Sequence, residues 1–236
     1  MSNSARTSIL KRLKANRSSR AVQEKPEHTV EASRPLLSTE WVAKEPDNAP
    51  KSKAALDRFK KLLTNNHAEL FVTNESHFEN TLMVWLEEHC QNRHCIVSEH
   101  PELKKLLPNP IPCQLQGNSL AELSENANTK KTLFHEVATS VCFAESGITE
   151  LGALVLVASP EQPRTLSLVA PTNVLVVKAK DLLDDLGTAL KKVYTTGRAT
   201  PSNCIVISGP SKTADIQQTI AYGAHGPKRL VVFLIT

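Results

Sequence analysis

The chain has 236 residues, of which 40% are hydrophobic and 22% are charged, a composition that is ordinary for a globular protein with a sizeable core. Its longest apolar runs, residues 151–158 and 230–235, are far shorter than the roughly 20 residues that a membrane-spanning helix needs. Lys11 and Arg12 interrupt the basic start before any signal-peptide core can form. We therefore expect a cytoplasmic protein without a membrane span.

Positive charge is concentrated at the amino-terminal end. Residues 1–20 carry +6 and no acid, whereas the whole chain carries +4, so the remainder carries −2. This balance, with only 4% aromatic residues, argues against a nucleic-acid surface on the body of the protein. The basic start places Ile9 and Leu13 on one helical face, which fits a mitochondrial transit peptide, a surface helix or a docking helix.

The sequence divides into residues 1–50, a basic helix followed by a Pro-rich arm, and residues 51–236, one α/β domain. In the second part, short Val, Ile and Leu runs alternate with amphipathic helices, which predicts a mostly parallel sheet covered by helices on both faces. The predicted strands are residues 70–72, 95–97, 138–143, 151–157, 174–177, 204–207 and 230–235. The predicted helices are residues 55–63, 78–86, 103–107, 182–193 and 215–222.

The five cysteines form an odd count without regular spacing, which indicates free thiols in a reducing compartment. Two His-Cys pairs, at residues 89–90 and 94–95, are the one cluster with metal-ligating side chains. No second closely spaced cysteine pair accompanies them, and no Cys-rich run for an iron–sulfur cluster is present. We therefore predict no metal and no cofactor in this chain.

A polar turn near the carboxyl-terminal end is the first candidate binding site. The apolar run 204–207 ends at Gly209, and Ser211, Thr213 and Asp215 then suit the start of the predicted helix. The N–H groups and positive dipole of such a helix start would bind an anion. Capping of the helix would account for the same residue types without a ligand.

A second polar turn follows the predicted strand 138–143. Gly152 permits close approach of the backbone, and Glu145 or Glu150 would supply a carboxylate. Ligands of open α/β sheets bind off the carboxyl ends of strands, so both turns are expected at one edge. There Arg164, whose guanidinium suits a carboxylate, would complete a small-anion site. An exposed turn residue and a surface ion pair are the structural alternatives for Glu150 and Arg164.

His225 lies between Gly223 and Gly226, just before Pro227. Its imidazole could shuttle a proton, although the glycines and the proline already explain a tight turn. The chain contains no dinucleotide-binding glycine motif, P-loop, nucleophile elbow or zinc-protease motif. The common self-contained enzyme classes are therefore not indicated.

Several segments of the chain resemble the lactate-utilization protein C family, whose module is called the LUD domain. Residues 209–216 read GPSKTADI and residues 223–228 read GAHGPK, similar to the closing signature of that family. Residues 147–156 resemble its GIA(E/D)TGT segment, with Leu151 and Ala153 where the family usually has threonines. The resemblance covers the chain from the end of the Pro-rich arm onward.

This resemblance implies the α/β fold of sugar-phosphate isomerases and coenzyme A transferases, the NagB/RpiA/CoA-transferase-like fold. It also implies a subunit of a bacterial iron–sulfur-dependent L-lactate oxidation system, whose partner subunits would hold the clusters. Two other functions stay open, namely a small-molecule acyl or coenzyme A transferase or isomerase, and a ligand-sensing regulatory binding module.

From these segments we predict one catalytic residue and a set of residues that would bind a small carboxylate or phosphate. Glu150 is the candidate nucleophile or base. The candidate binding residues are Gly152, Arg164, Gly209, Ser211, Lys212, Thr213, Asp215 and His225.

Overall fold

The computed structural model describes residues 53–90, 93–115, 134–195, 200–214, 220–223 and 225–236, with the backbone alone for 213–214 and 220–222. The predicted amino-terminal helix and Pro-rich arm lie outside the described residues, and the division at residue 50 stays a prediction. No helix in the described ranges is long and apolar enough to cross a lipid bilayer.

Helices and strands are interspersed along the chain between residues 53 and 235, and several strands follow one another without a helix between them. The helices are α1 (Lys53–Asn65), α2 (Glu75–Cys90), α3 (Pro101–Leu106), α4 (Leu166–Val169) and α5 (Leu186–Thr195). The strands are β1 (Glu69–Thr73), β2 (His94–Val97), β3 (Val137–Phe143), β4 (Ser146–Ile148), β5 (Ala153–Val157), β6 (Thr172–Lys178), β7 (Leu182–Leu183), β8 (Cys204–Ile207), β9 (Lys212–Ala214), β10 (Ile220–Tyr222) and β11 (Arg229–Ile235).

Five strands form a parallel sheet in the order β1-β11-β6-β3-β2. Every residue of β3 is buried, and so are all but the first residues of β6 and β11, which explains the continuous apolar runs at residues 174–177 and 230–235. One face packs on α2 and α3 through residues such as Phe78 and Leu103. The other packs on α1, on α4 and on a second sheet through residues such as Phe59 and Leu154. The predicted mostly parallel α/β architecture is confirmed.

A second, four-stranded sheet in the order β7-β4-β5-β8 was not predicted. The β4–β5 and β5–β8 pairs are antiparallel, and β4–β7 is parallel. The four residues 149–152 join β4 to β5, and so short a connection can link only antiparallel neighbours. Ser146 and Gly147, predicted as part of a turn over residues 144–147, therefore belong to β4, and the turn comes after Ile148.

Two predicted helices are corrected by the structure. Leu182 and Leu183 are a buried strand, and the following helix starts only after Asp185, whose carboxylate accepts the Thr188 N–H at 2.9 Å. Residues 220–222, predicted to be helical, form β10, which pairs antiparallel with β9. Its backbone groups join a hairpin ladder, so the helix start predicted near Thr213 is absent from residues 212–214; residues 215–219 lie outside the described ranges.

Candidate functional site

A cleft of about 1120 Å³ opens at the edge where the parallel strands end, and we call it the carboxyl-edge cleft. It lies beyond the last residues of β2, β3 and β6, the side of an α/β sheet on which ligands usually bind. Its lining includes side chains from the segments after β2, β3, β5 and β6, among them His100, Glu102, Glu145, Glu161, Arg164, Lys180 and Asp181.

An imidazole–carboxylate pair stands in this cleft. His100 Nε2 lies 3.2 Å from Glu145 Oε1, and His100 Nδ1 accepts the Glu102 backbone N–H at 3.3 Å. Because Nδ1 is an acceptor, the proton of the neutral ring sits on Nε2 and is donated to Glu145. The ring also stacks on Phe143, with 4.7 Å between ring centroids. Both the orientation and the tautomer of His100 are therefore set by its surroundings.

Lys192 joins two walls of the cleft from its position on α5. Its Nζ donates to the Glu145 carbonyl at 3.2 Å and to Asp181 Oδ1 at 3.1 Å. The segment after β3 is thereby tied to the segment after β6, and the charge of Asp181 is balanced by the same ammonium group.

The loop after β5 is held in place by Gln162, a buried residue that the sequence reasoning missed. Its Oε1 accepts the Phe143 N–H and the Ser98 hydroxyl, each at 2.8 Å, and its Nε2 donates to the Phe143 carbonyl at 2.8 Å. The side-chain amide thus pairs with Phe143 as a neighbouring strand would. The sequence feature that could have pointed to Gln162 is its position two residues before Arg164.

Gln162 in turn positions Arg164 at the cleft. The Arg164 side chain is exposed and lines the cleft, while its carbonyl accepts the Ser167 hydroxyl at 3.0 Å. No carboxylate among the described residues forms an ion pair with the Arg164 guanidinium. That positive group is accordingly placed to meet a ligand.

A buried lysine forms ion pairs with two carboxylates, one of which belongs to the cleft lining. Lys178, the last residue of β6, places Nζ 2.7 Å from Glu75 Oε1 and 3.0 Å from Glu102 Oε2. Burial lowers the pKa of Lys178, but its hydrogen bonds to the two carboxylates outweigh burial and leave that pKa raised. Hydrogen bonds from Lys105 and Lys178 lower the pKa of Glu102 to about 2. The cluster links β6 to α2 and α3.

We expect acid to weaken the fold through Glu102. A lowered pKa in the folded state stabilises the protein above the usual Glu value of 4.5, and that contribution is lost as the pH falls towards about 2. Glu102→Gln should therefore lower Tm near pH 6, and near pH 3 it should lower Tm by about 3 °C less. Partial exposure of the carboxylate limits the size of this difference. Thermal melts at the two pH values measure this difference.

The same substitution in a Lys105→Met/Lys178→Met background is the control, because both cationic partners of Glu102 are then absent. There the effect of Glu102→Gln on Tm should be the same at both pH values. A wild-type background that also shows no pH dependence would contradict the assigned ion pairs.

Gly209, Ser211 and His225 come together, but at the opposite edge of the parallel sheet. They line a cavity of about 270 Å³ together with Asn173 and Leu230, the second residues of β6 and β11. We call it the amino-edge cavity. The Ser211 N–H donates a hydrogen bond to the Pro227 carbonyl at 2.8 Å.

The direction of β8 explains this separation. In the antiparallel pair, Ile207 faces Leu154 and Cys204 faces Val157, so the chain after Ile207 leaves beside the start of β5. The loop that carries Arg164 follows the other end of β5. The predicted convergence of Ser211 with Arg164 is therefore wrong.

Glu150 and Gly152 lie in the β4–β5 turn, against α1 and outside the lining of the carboxyl-edge cleft. Glu150 is half exposed, with Oε1 3.9 Å from Arg58 Nη2. Gly152 has φ +58°, and a Cβ built there would lie 2.4 Å from Leu62 Cβ. The predicted meeting of Glu150 with Arg164 is also wrong; Glu145, the other acid considered, is the one in the cleft.

Three candidate binding residues remain, Lys212, Thr213 and Asp215, and of these only Lys212 has a described side chain, which lines neither the carboxyl-edge cleft nor the amino-edge cavity. Lys212 is exposed, Thr213 is described by its backbone in β9, and Asp215 lies outside the described residues. The roles assigned to these residues stay predictions.

The histidine and cysteine pairs serve packing where they are described. His89 Nδ1 contacts the Trp85 carbonyl at 2.8 Å, and His89 Nε2 lies 3.1 Å from Arg229 Nη2. Cys90 and Cys95 are buried in the core. Within the ranges that the structure covers, no three His, Cys, Asp or Glu side chains are arranged to hold a metal ion.

The fold and the site together define an α/β protein with a ligand-sized cleft at the carboxyl edge of a five-stranded parallel sheet. The chain belongs to the LUD domain family, whose model matches residues 56–235. The family resemblance seen in the sequence is thereby confirmed.

Each of three relatives shares about half of its length with the chain. An uncharacterized protein of Neisseria meningitidis serogroup B is 42% identical over 106 residues, 45% of this chain and 46% of the relative. YkgG of Escherichia coli K12 is 33% identical, over 42% of this chain and 45% of YkgG. Lactate utilization protein C of Bacillus subtilis is 28% identical, over 46% of each chain.

A crystal structure of a DUF162 family protein from Deinococcus radiodurans has a similar fold. Its TM-score is 0.51 at 17% sequence identity, and the match covers 79% of this chain and 100% of that one. This likeness supports the α/β fold; the finer comparison with sugar-phosphate isomerases and coenzyme A transferases stays a prediction.

Proposed function

We propose that this chain is a cytoplasmic subunit of a bacterial L-lactate oxidation system in which partner subunits, and not this chain, carry iron–sulfur clusters. Membership of the LUD domain family supports the proposal, as do several relatives named lactate utilization protein C. The role of the subunit would be to bind a small carboxylate and to present it, or report its presence, to the partners.

The observation that carries this proposal is that Arg164 and the His100–Glu145 pair line one cleft. A guanidinium binds a carboxylate with two parallel hydrogen bonds. The imidazole–carboxylate pair could bond the hydroxyl group next to it. L-Lactate carries both groups on adjacent carbons, so the cleft offers a partner for each.

We expect L-lactate to bind the purified protein and raise its Tm in a concentration-dependent way. Arg164→Leu should weaken binding by about tenfold or more, because a charge-assisted hydrogen bond contributes about 1.5–3 kcal/mol. Isothermal titration calorimetry measures the affinity. Propionate, which lacks the hydroxyl group, should bind more weakly than lactate.

Arg58→Leu is the matched control, since Arg58 is an exposed arginine paired with Glu150 on a different part of the surface. It should leave lactate binding unchanged. Equal affinities for wild type, Arg164→Leu and Arg58→Leu would contradict a lactate site in the carboxyl-edge cleft.

The partner part of the proposal is tested separately. The tagged chain should co-purify with iron–sulfur proteins from lactate-grown bacteria, with the basic start and Pro-rich arm as the proposed docking elements. A chain that always elutes alone, yet binds lactate, would point instead to a ligand-sensing module.

One observation favours a second candidate, a small-molecule acyl or coenzyme A transferase or an isomerase. The His100–Glu145 pair has the arrangement of a general acid–base pair, in the cleft where a substrate would sit. Turnover of a carboxylate or thioester, lost in Glu145→Gln and kept in Glu150→Gln, would support it. Absence of turnover with such substrates would count against it.

A further inference from the structure

Three cysteines, at positions 90, 95 and 113, meet at β2. The Cys95 N–H donates to the Cys113 carbonyl at 2.8 Å, and the Leu115 N–H donates to the Cys95 carbonyl at 2.9 Å. The segment after α3 therefore runs parallel to β2 as a short extra edge. It brings Cys113 Sγ to 3.3 Å from Cys95 Sγ.

Cys90, the last residue of α2, completes what we call the thiol cluster, Cys90, Cys95 and Cys113. Hydrogen bonds from the thiols of Cys113 and Cys95, and from Thr139, lower the pKa of Cys90. The same contacts with Cys113 and Cys90 raise the pKa of Cys95. The hydrogen bond with Cys90 raises the pKa of Cys113, so Cys90 can carry a negative charge while Cys95 and Cys113 stay protonated.

The three sulfurs differ in access to solvent. Cys95 is fully buried and Cys90 is 3% exposed, whereas Cys113 is partly exposed. An oxidant of peroxide size can reach Cys113 from outside, and the sulfur that lies 3.3 Å behind it is that of Cys95. Cys113 therefore has a partner within reach of a small side-chain rotation.

We propose that Cys95 and Cys113 form a reversible disulfide when the protein meets hydrogen peroxide. The Cys113 thiol gives its proton to the neighbouring Cys90 thiolate while the Cys113 sulfur attacks one peroxide oxygen. The O–O bond breaks, a sulfenic acid forms at Cys113, and the hydroxide that leaves takes up the proton from Cys90 to give water. The Cys95 thiol then loses its proton as its sulfur attacks the Cys113 sulfur, the S–O bond breaks, and the leaving hydroxide takes up that proton to give a second water. Two thiols are oxidised, one peroxide is reduced, and a thiol reductant reverses the reaction.

The disulfide would act on the carboxyl-edge cleft. Cys95 and Cys113 are 18 residues apart, and the chain between them contains α3 together with His100 and Glu102 of the cleft wall. Closing this loop restricts the unfolded chain and holds both ends of the wall. Oxidation should therefore stabilise the protein, and this holds whether or not the cleft binds lactate.

Mass spectrometry of peptides from peroxide-treated full-length protein, digested without reduction, tests the assignment. We expect a linked Cys95–Cys113 peptide pair that disappears with dithiothreitol, and a rise in Tm of about 5 °C on oxidation. Cys113→Ser should abolish both the linked pair and the Tm rise. Cys204→Ser, which alters a partly buried cysteine of β8, should keep both.

Wild-type peptide mapping decides the matter even if a cysteine variant folds poorly. A Cys90–Cys113 link would overturn the assigned pair. Sulfinic or sulfonic acid at Cys113 without a disulfide would overturn the switch itself.

Discussion

Replacing Gln162 with leucine should lower the free energy of unfolding by about 3 kcal/mol, one of the two largest effects that we expect from a single substitution. Leucine fits the volume but removes both hydrogen-bonding ends of the amide. The N–H and carbonyl of Phe143 and the Ser98 hydroxyl would then be buried without these partners. A buried polar group without a partner costs about 1–3 kcal/mol, so the loss is larger than that of one hydrogen bond.

Urea unfolding followed by circular dichroism measures this loss. Ser98→Ala is the control, because it removes one of the three bonds of the amide together with the bond that Ser98 accepts from the His100 N–H, and should cost about 1–2 kcal/mol. The Gln162→Leu protein that remains folded should also bind lactate more weakly, since Arg164 follows two residues later in the loop that the amide holds. A loss of stability no larger than that of Ser98→Ala would contradict the bracing role of Gln162.

Gly152→Ala should also destabilise the protein by about 3 kcal/mol, through two effects that add. A left-handed backbone with φ +58° disfavours alanine by about 1–2 kcal/mol. The new methyl group would lie 2.4 Å from Leu62 Cβ and 2.9 Å from two backbone atoms of α1, which cannot yield without moving the helix. The turn or the helix must therefore shift.

Gly226→Ala is the matched control for this substitution. Its Cβ would meet Ser211 Cβ at 3.3 Å, a tight contact with a side chain and without a left-handed backbone. We expect a cost below about 1 kcal/mol there. Lactate affinity of folded Gly152→Ala should match wild type, because Gly152 packs on α1; a stable variant with lost binding would restore the ligand role first predicted for this glycine.

Sequence reasoning located the parallel sheet because its central strands are buried on both faces. Residues 174–177 and 230–235 are continuous apolar runs whose length and flanking turns favour strands. Such a run needs no partner in order to be recognised. The same reasoning failed for Leu182–Leu183, because two buried leucines before a helix repeat the helical spacing and only their pairing with β4 shows them to be a strand.

The candidate site was predicted in part. Arg164 was placed correctly at the carboxyl edge, and Glu145 was considered together with Glu150. His100 and Gln162 were missed, because neither belongs to a local motif and each acts on a residue more than 15 positions away. Contacts at that separation depend on which strands become neighbours.

The sequence by itself determined the α/β class, the family and the positions of most strands, since these follow from local apolar patterns and short motifs. Only the tertiary structure decided that β8 runs antiparallel to β5, and this direction sends Ser211 to one edge of the sheet and leaves Arg164 at the other. The physical reason is that a strand's direction is set by hydrogen bonds to a distant partner, whereas its side-chain pattern is the same whichever way it runs.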